Sequence, residues 1–468
     1  MAETNPVEQR MEYLADSWND IPKKAHKIIR AIIEPGDERM IEAFYSYMLG
    51  LGTPIIDIAI NFDVPFIDYE SFSENLIGYL DGMVDLWNQA DFSATEVDKV
   101  NIDWQADYNL TSKKNKAALF VLNVNKLTEI LNLEQGRFVI ANLRLPYIGE
   151  NKALNKWIKD YLESDIHPQL KLLVTDIKGS GLFDKTSLAN HNLYHWQPEI
   201  DTANVISKVA AMGDPQDPAT IFRQSFAKMM KAFGENNRKT VKQEATNCIE
   251  IACRYIEKDP NWIAQVVTVN IILSNDYFKN KEFDNALRFA DQAIKVGETV
   301  PQILGAIMGC GVLAQAQMNK ATMLVSRKEW RESMELYETA AINLTASNIH
   351  ISAIDSYRMA AYCAAKTGAK DRCLKNLIEG YKTGSYLDNK TLRNTTFSLV
   401  LVHLLKMKYE SFISYEELNA RAQVIYGEDW ENTIKAKWSD IDLDNLYEEN
   451  QYATTQLEMQ KQAQTQTL

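Results

Sequence analysis

The sequence predicts an α + α/β protein, in which a small domain with a mixed or parallel sheet precedes an all-helical superhelix. Two observations predict this order. Apolar segments that fit β-strands alternate with helical segments up to residue 177, whereas beyond residue 219 the apolar residues recur with helical spacing. The composition, 46% hydrophobic and 24% charged, is that of a folded globular chain.

Changes of composition divide the 468 residues into five parts. The segment 178–218 contains Gly-Ser-Gly, Asn-His-Asn and Asp-Pro-Gln-Asp-Pro, which indicate an irregular linker. The end of the chain is rich in Gln and Thr, which predicts a disordered tail. The five predicted parts are an α/β domain (1–177), the linker (178–218), helical repeats (219–385), a C-terminal helical cap (386–450) and the tail (451–468).

The first part of the chain is predicted to combine helices with short strands. Residues 8–50 have helical periodicity, interrupted by a turn at Pro35-Gly36-Asp37. Apolar and polar residues alternate from Ile56 to Val64, which predicts a strand with one buried face. A helix from Phe72 to Trp87 follows, and Val100–Trp104 is a candidate short strand.

Three further strands are predicted before residue 177. The run Ala117–Val124 is continuously apolar, as in a strand covered on both faces. Phe138–Leu145 and Leu170–Asp176 are the other two, separated by an amphipathic helix at Leu154–Leu162. This alternation predicts a mostly parallel sheet, although the first crossover, Asn125–Arg137, is barely long enough.

An internal repeat follows the predicted linker. Small residues and aromatic residues recur at the same offsets in successive helical segments. The repeat positions are Leu273, Tyr277, Phe283, Ala286 and Ala293, then Ala321, Trp330, Ser333, Tyr337 and Ala340, then Ala361, Cys373 and Leu377, with a weaker unit at Ala245, Ile249 and Ala252.

These units resemble the tetratricopeptide repeat over about a third of the chain. The small residues at 245, 286, 333 and 373 are 41, 47 and 40 positions apart, longer than the family's period of roughly 34, so longer helices are expected. The usual glycine of the first helix is replaced by Ser274, Ala321 and Ala361, and the closing proline is absent. A plain helical bundle is the alternative.

The resemblance implies stacked helix pairs whose first helices line a curved groove for an extended peptide or a helix. We therefore expect a protein client or partner subunit. The candidate protein-binding residues lie between the packing positions of the first helices: Asn270, Asn275, Gln317, Lys320, Tyr357 and Arg358.

The net charge of −13 argues against nucleic acid and anionic membranes as partners. Residues 219–385, with 22 basic and 17 acidic side chains, are the one net basic part. Within them Phe222, Phe226 and Phe233 share a helical face, which indicates a core stripe and not a platform for bases. With no signal peptide, no apolar run of ~20 residues and no disulfide pattern among five cysteines, we expect a cytoplasmic protein.

A search for catalytic motifs gives little. No Gly-x-x-x-x-Gly-Lys-Ser/Thr loop is present, although Asp176 ends a strand where it could hold Mg²⁺. His191 and His195 are four residues apart, but their segment has no glutamate of a zinc-protease helix. We therefore expect no catalytic residue, no cofactor and no bound metal.

The leading hypothesis is a non-enzymatic adaptor or chaperone, for example a bacterial effector-loading adaptor. Two alternatives stay open. One is a regulatory or defence protein with a degenerate nucleotide-binding domain and sensor repeats, and the other is a structural subunit of a larger assembly.

Overall fold

The computed structural model describes residues 5–50, 52–90, 100–109, 115–183, 192–405, 407 and 412–438. The chain divides into two compact units, Met1–Val209 and Ala210–Leu468. The first unit is α/β and the second is helical, as the sequence predicts. The predicted tail, 451–468, lies outside the described residues.

The first unit contains five strands and six helices in its described residues. A short 3-10 turn, Lys23–Ala25, precedes the first strand. The elements are α1 (Pro6–Asn19), β1 (Ile28–Ile33), α2 (Glu38–Tyr47), β2 (Ile58–Asp63), α3 (Phe72–Gln89), α4 (Ala117–Leu131), β3 (Val139–Arg144), α5 (Asn151–Leu162), β4 (Leu170–Ile177), β5 (Leu193–Trp196) and α6 (Thr202–Ala210).

The five strands form one parallel sheet in the order β2-β3-β4-β1-β5. Ile28 lies opposite Leu172 on one side and Leu193 on the other, so β1 is an interior strand. Parallel strands need both faces covered. Helices α3, α4 and α5 share one apolar core with the sheet, and α1 and α2 share another.

Three predictions for this unit are wrong. Ala117–Val124 begins helix α4 and is not a strand, because α4 is buried on almost every side and its apolar run has no helical period. Ile28–Ile33 is strand β1 inside a region predicted to be helical, since a strand buried on both faces does not alternate. Val100–Trp104 is not a strand. Its backbone at Ile102 bonds to the side chain of Asn88.

The segment predicted to be an irregular linker, 178–218, contains regular structure. Strand β5 pairs with β1 and extends the sheet, and helix α6 follows it. Both lie before or at the boundary of the first unit, which ends at Val209 and not at residue 177. The strand was missed because Leu193–Trp196 is short and follows a polar stretch.

The second unit is a series of helices, packed as adjacent pairs. For example, α12 packs against α13, α13 against α14, and α14 against α15. The helices are α7 (Pro218–Gly234), α8 (Arg238–Tyr255), α9 (Trp262–Lys279), α10 (Phe283–Gly297), α11 (Val300–Leu304), α12 (Ala306–Ser326), α13 (Trp330–Ala346), α14 (His350–Lys366), α15 (Lys370–Thr383), α16 (Asn389–Arg393), α17 (Phe397–Leu405), α18 (Tyr415–Tyr426) and α19 (Trp430–Lys437).

Five turns between consecutive helices share one backbone geometry. Each has three residues, the middle one has a positive φ, and the third donates its N–H to the carbonyl five residues before it, which closes the preceding helix. In the turn after α9, for example, Lys281 has φ 61° and Glu282 bonds to Tyr277 at 2.9 Å. The middle residues are Asn236, Lys281, Lys328, Asn348 and Gly368.

These turns fix the register of the repeat. Ala286, Ser333 and Cys373 each lie five residues after a middle turn residue and are fully buried, as the sequence predicts. In the weaker unit that position belongs to Val241, and Ala245 lies one helical turn later. The predicted register of this unit is therefore wrong by four residues. Val241 and Ala245 are both buried and both small enough to pack against the next helix, so the sequence pattern does not distinguish them.

Candidate functional site

Most of the residues predicted to line a groove are buried. Relative exposure is 5% for Asn270, 8% for Gln317, 8% for Tyr357 and 1% for Arg358. Asn275 is half-buried. The first helices of the pairs are thus covered on more sides than the sequence pattern indicates, because each packs against the helix before it as well as the helix after it.

Several of these residues connect neighbouring helices. The amide of Asn343 on α13 donates to Oε1 of Gln317 on α12 at 2.9 Å. Lys320 of α12 contacts Asp291 of α10 at 2.8 Å and Glu332 of α13 at 2.5 Å. Burial alone would lower the pKa of Lys320, but the hydrogen bonds to the two carboxylates outweigh burial and raise it. These side chains stabilise the helix array.

Arg358 pairs within its own helix, α14, and its partner carboxylate connects α14 to the start of α17. Its guanidinium bonds to Asp355 at 2.6 Å, and the hydroxyl of Thr396 bonds to the same carboxylate at 3.1 Å. Sequence reasoning missed two similar links, Asn319 to Ser274 and Asn376 to Glu338. Polar residues spaced among buried alanines were the signal that could have found them.

Exposed apolar side chains cluster at one end of the helix array. We call this surface the apolar end. Ile307 is 66% exposed and Met308 is 55% exposed. Exposed apolar surface on a folded protein marks interaction sites when it is contiguous. The apolar end consists of Ile303, Ile307, Met308, Ile349, Ile351 and Tyr386, of which each is at least 39% exposed.

Two contacts bring these residues together. The Cβ position of Gly311 on α12 lies 3.2 Å from Cδ1 of Ile349, in the turn before α14. Ile307 is one helical turn before Gly311 and therefore lies on the same face of α12. The rings of His350 and Tyr386 stack with centroids 4.5 Å apart, which places Tyr386 beside the start of α14.

A glycine contact holds helix α11 in this surface. A Cβ on Gly309 would lie 2.4 Å from the Cα of Pro301, so α12 meets the backbone of α11 directly. Gly305, with φ 82°, forms the bend between the two helices. The contact fixes the angle between α11 and the start of α12, whose Ile303 and Ile307 side chains are exposed.

The apolar end also has few charges. The sequence from Thr299 to Asn319 contains no Asp, Glu, Lys or Arg, and the same is true from Thr339 to Ile354. At the opposite end of the same helices, Arg327 contacts Glu329 at 2.6 Å. One end of the array is therefore ionic and the other apolar, a contrast that favours contact with an apolar partner surface.

The carboxyl ends of the strands, where open parallel sheets usually bind ligands, are closed by ion pairs. Oδ2 of Asp176 accepts from Nε of Arg30 at 2.9 Å, and its Oδ1 accepts from the Ser180 hydroxyl at 2.8 Å. Both carboxylate oxygens are thus engaged within the protein. These contacts favour a structural role for Asp176.

The loop between β1 and α2 is acidic. The backbone N–H of Gly36 donates to Glu38 at 2.7 Å, Asp37 accepts from the backbone of Thr202 at 2.9 Å, and Lys178 pairs with Glu34 at 2.5 Å. A phosphate at the start of a helix needs free N–H groups and positive charge. Here carboxylates occupy that position.

The remaining reactive residues give no cluster in the part of the chain that the structure describes. No group of three or more His, Cys, Asp or Glu side chains converges there. His195 lies on β5, whereas His191 falls outside the described residues. Burial raises the pKa of the Cys248 and Cys363 thiols to about 12, so these cysteines are weak nucleophiles.

A membrane span is likewise missing from the described helices, since none of them is both long and apolar enough. Comparison with known proteins adds no identification: no family model, curated protein or solved structure matches the chain.

Proposed function

We propose that the protein is a non-enzymatic adaptor or chaperone that holds another polypeptide through the apolar end of its helix array. The observation that carries this proposal is the cluster of exposed apolar side chains around Ile307, in segments of α12 and α13–α14 that contain no charged residue. The resemblance of the helix pairs to tetratricopeptide repeats supports it, since such arrays bind polypeptide. The binding surface then differs from the groove expected from the sequence.

The partner segment that fits this surface is apolar. Side chains of three helices, of the turn before α14 and of the segment after α15 form the surface, so a partner helix with an apolar face could contact several of them. Met308 adds an unbranched side chain that adapts to different partner shapes. We expect the affinity to depend weakly on salt, because few charged side chains are available for ion pairs on this surface.

Affinity capture from the native host tests the proposal. The full chain carries a tag, and captured proteins are quantified for wild type, for the double variant Ile307→Glu and Met308→Glu, and for Val424→Glu. Val424 of α18 is 66% exposed, as Ile307 is, and serves as the matched control. We expect one protein to be captured by wild type and by Val424→Glu but lost from the double variant. Equal capture by all three would contradict the proposal.

A further inference from the structure

A cleft of about 610 Å³ opens at the amino ends of the strands, opposite the edge that is closed by ion pairs. Residues that precede three different strands line it: Lys23 and Lys24 before β1, Ile56 and Asp57 before β2, and Phe138 before β3. Its volume lies within the range of roughly 300–1,000 Å³ that holds small molecules.

Apolar side chains form part of the wall. Phe138 is 6% exposed and Ile56 is 54% exposed, and both line the cleft. The Phe138 ring also has the ammonium of Lys171 at 5.1 Å from its centroid, so a second cation lies close behind the wall. A ligand with an apolar body and one charged group would fit this combination of an apolar wall and a nearby cation.

A buried ion pair forms the polar part. Asp57 accepts from the indole nitrogen of Trp18 at 2.9 Å and from the backbone of Phe138 at 3.1 Å, and it lies 3.3 Å from Nζ of Lys23. The side chain of Lys23 is 6% exposed, and its Nζ also donates to the Trp18 carbonyl at 2.7 Å.

These contacts leave donors for a ligand. An ammonium has three protons, and the described acceptors of Lys23 use two of them. Lys24, at the exposed mouth of the cleft, forms no ion pair with any residue that the structure describes. The buried carboxylate is already satisfied by three donors, so the charged side chains of the cleft that remain able to bind a ligand are those of Lys23 and Lys24.

We propose that this cleft binds a small apolar molecule that carries one anionic group, a carboxylate or a phosphate. Phe138 and Ile56 contact the apolar body, and Lys24 with the remaining proton of Lys23 binds the anion. The site lies in the first unit, whereas the apolar end belongs to the second.

Calorimetric titration of the full chain with 2-naphthoate tests this proposal. The arms are 2-naphthoate, 2-naphthyl phosphate, the neutral 2-naphthalenemethanol and inorganic phosphate. We expect either naphthyl anion to bind at least about tenfold more tightly than the neutral alcohol and than inorganic phosphate. The tighter of the two naphthyl anions identifies the anionic group. Equal affinity for the naphthyl anions and the alcohol, or no heat with any naphthyl compound, would overturn the proposal.

Variants locate the binding. Lys24→Met removes an exposed cation without touching the buried pair, and we expect it to weaken naphthoate binding by about fivefold or more. Ile56→Ser should weaken both naphthyl anions to a similar degree. Lys208→Met, which changes another exposed lysine of the same unit, should bind as wild type does. Naphthoate binding that is unaffected by Lys24→Met and Ile56→Ser would place the site elsewhere and refute the assignment.

Discussion

Gly309 of α12 lies directly against Pro301 of α11, where a Cβ would come within 2.4 Å of the proline Cα. The contact fixes α11 against the start of α12, and Ile303 and Ile307 in these two helices are both exposed. The packing of α11 on α12 therefore depends on a position that only glycine fits.

Gly309→Ala should destabilise the protein, because the added methyl group forces α11 and α12 apart. We expect a loss of about 1–3 kcal/mol in the free energy of unfolding, measured by urea titration with circular dichroism. Gly234→Ala is the control, since Gly234 is also helical but has open space around it. It should leave stability unchanged or raise it by up to about 1 kcal/mol. Equal effects of the two variants would contradict the tight contact.

Asp57→Ala should destabilise the first unit, because it leaves the buried Lys23 ammonium without its carboxylate. Breaking a buried pair costs about 3–5 kcal/mol, whereas an exposed pair contributes about 1 kcal/mol or less. Glu34→Ala, which removes the exposed pair with Lys178, is the control. Urea titration of both variants measures the difference, and a small effect of Asp57→Ala would show that the pair is not buried as described.

Lys171 predicts a pH dependence of stability. Burial, with a smaller effect of the nearby Lys27 ammonium, lowers the pKa of Lys171 to about 8. The unfolded value is near 10.4, so between about pH 8 and pH 10.4 the unfolded chain binds more protons than the folded chain. The contribution of Lys171 to stability therefore rises with pH in this window and is least favourable below it.

Lys171→Met removes this dependence. We expect the variant to gain stability relative to wild type at pH 7 and to lose that gain progressively towards pH 10. Unfolding free energies at several pH values provide the measurement, and taking the difference between the proteins cancels other titrating groups. The exposed Lys208→Met should show a difference that does not vary with pH. A constant difference for Lys171→Met would rule out the buried charge.

The ion pair at the carboxyl edge of the sheet predicts no response to nucleotide. ATP with Mg²⁺ should not raise the melting temperature, because Arg30 and Ser180 already occupy both oxygens of Asp176. Asp176→Ala should lower stability by about 3–5 kcal/mol by leaving Arg30 unpaired. A saturable rise in melting temperature with ATP that Asp176→Ala abolishes would instead support the nucleotide-binding alternative.

The sequence predicts helices and strands well where one face of the element is exposed to solvent. The helix around Phe72 and the strand after Ile56 were predicted from periodicity and are confirmed as α3 and β2. Elements buried on all sides were not predictable in this way. Helix α4 and strand β1 both appear as continuous apolar runs, so only tertiary contacts distinguish them.

The surface residues were harder to predict than the fold. Repeat spacing identifies the buried positions of Ala286 and Ser333, but it predicts that Gln317 and Arg358 line a binding groove, whereas the structure buries both. Conversely, the sequence pattern does not indicate that side chains of the apolar run beginning at Ile303 are exposed. Which of its side chains are exposed depends on the bend at Gly305, which periodicity does not report.

Site-specific photocrosslinking in the native host tests the central claim most directly. In two separate variants, benzoylphenylalanine replaces either Ile307 or Val424, which are apolar side chains of equal exposure. The account predicts a covalent adduct with a different protein at position 307 and none at position 424. Adducts of equal yield at both positions, or an adduct at position 307 with a second copy of this chain, would contradict it.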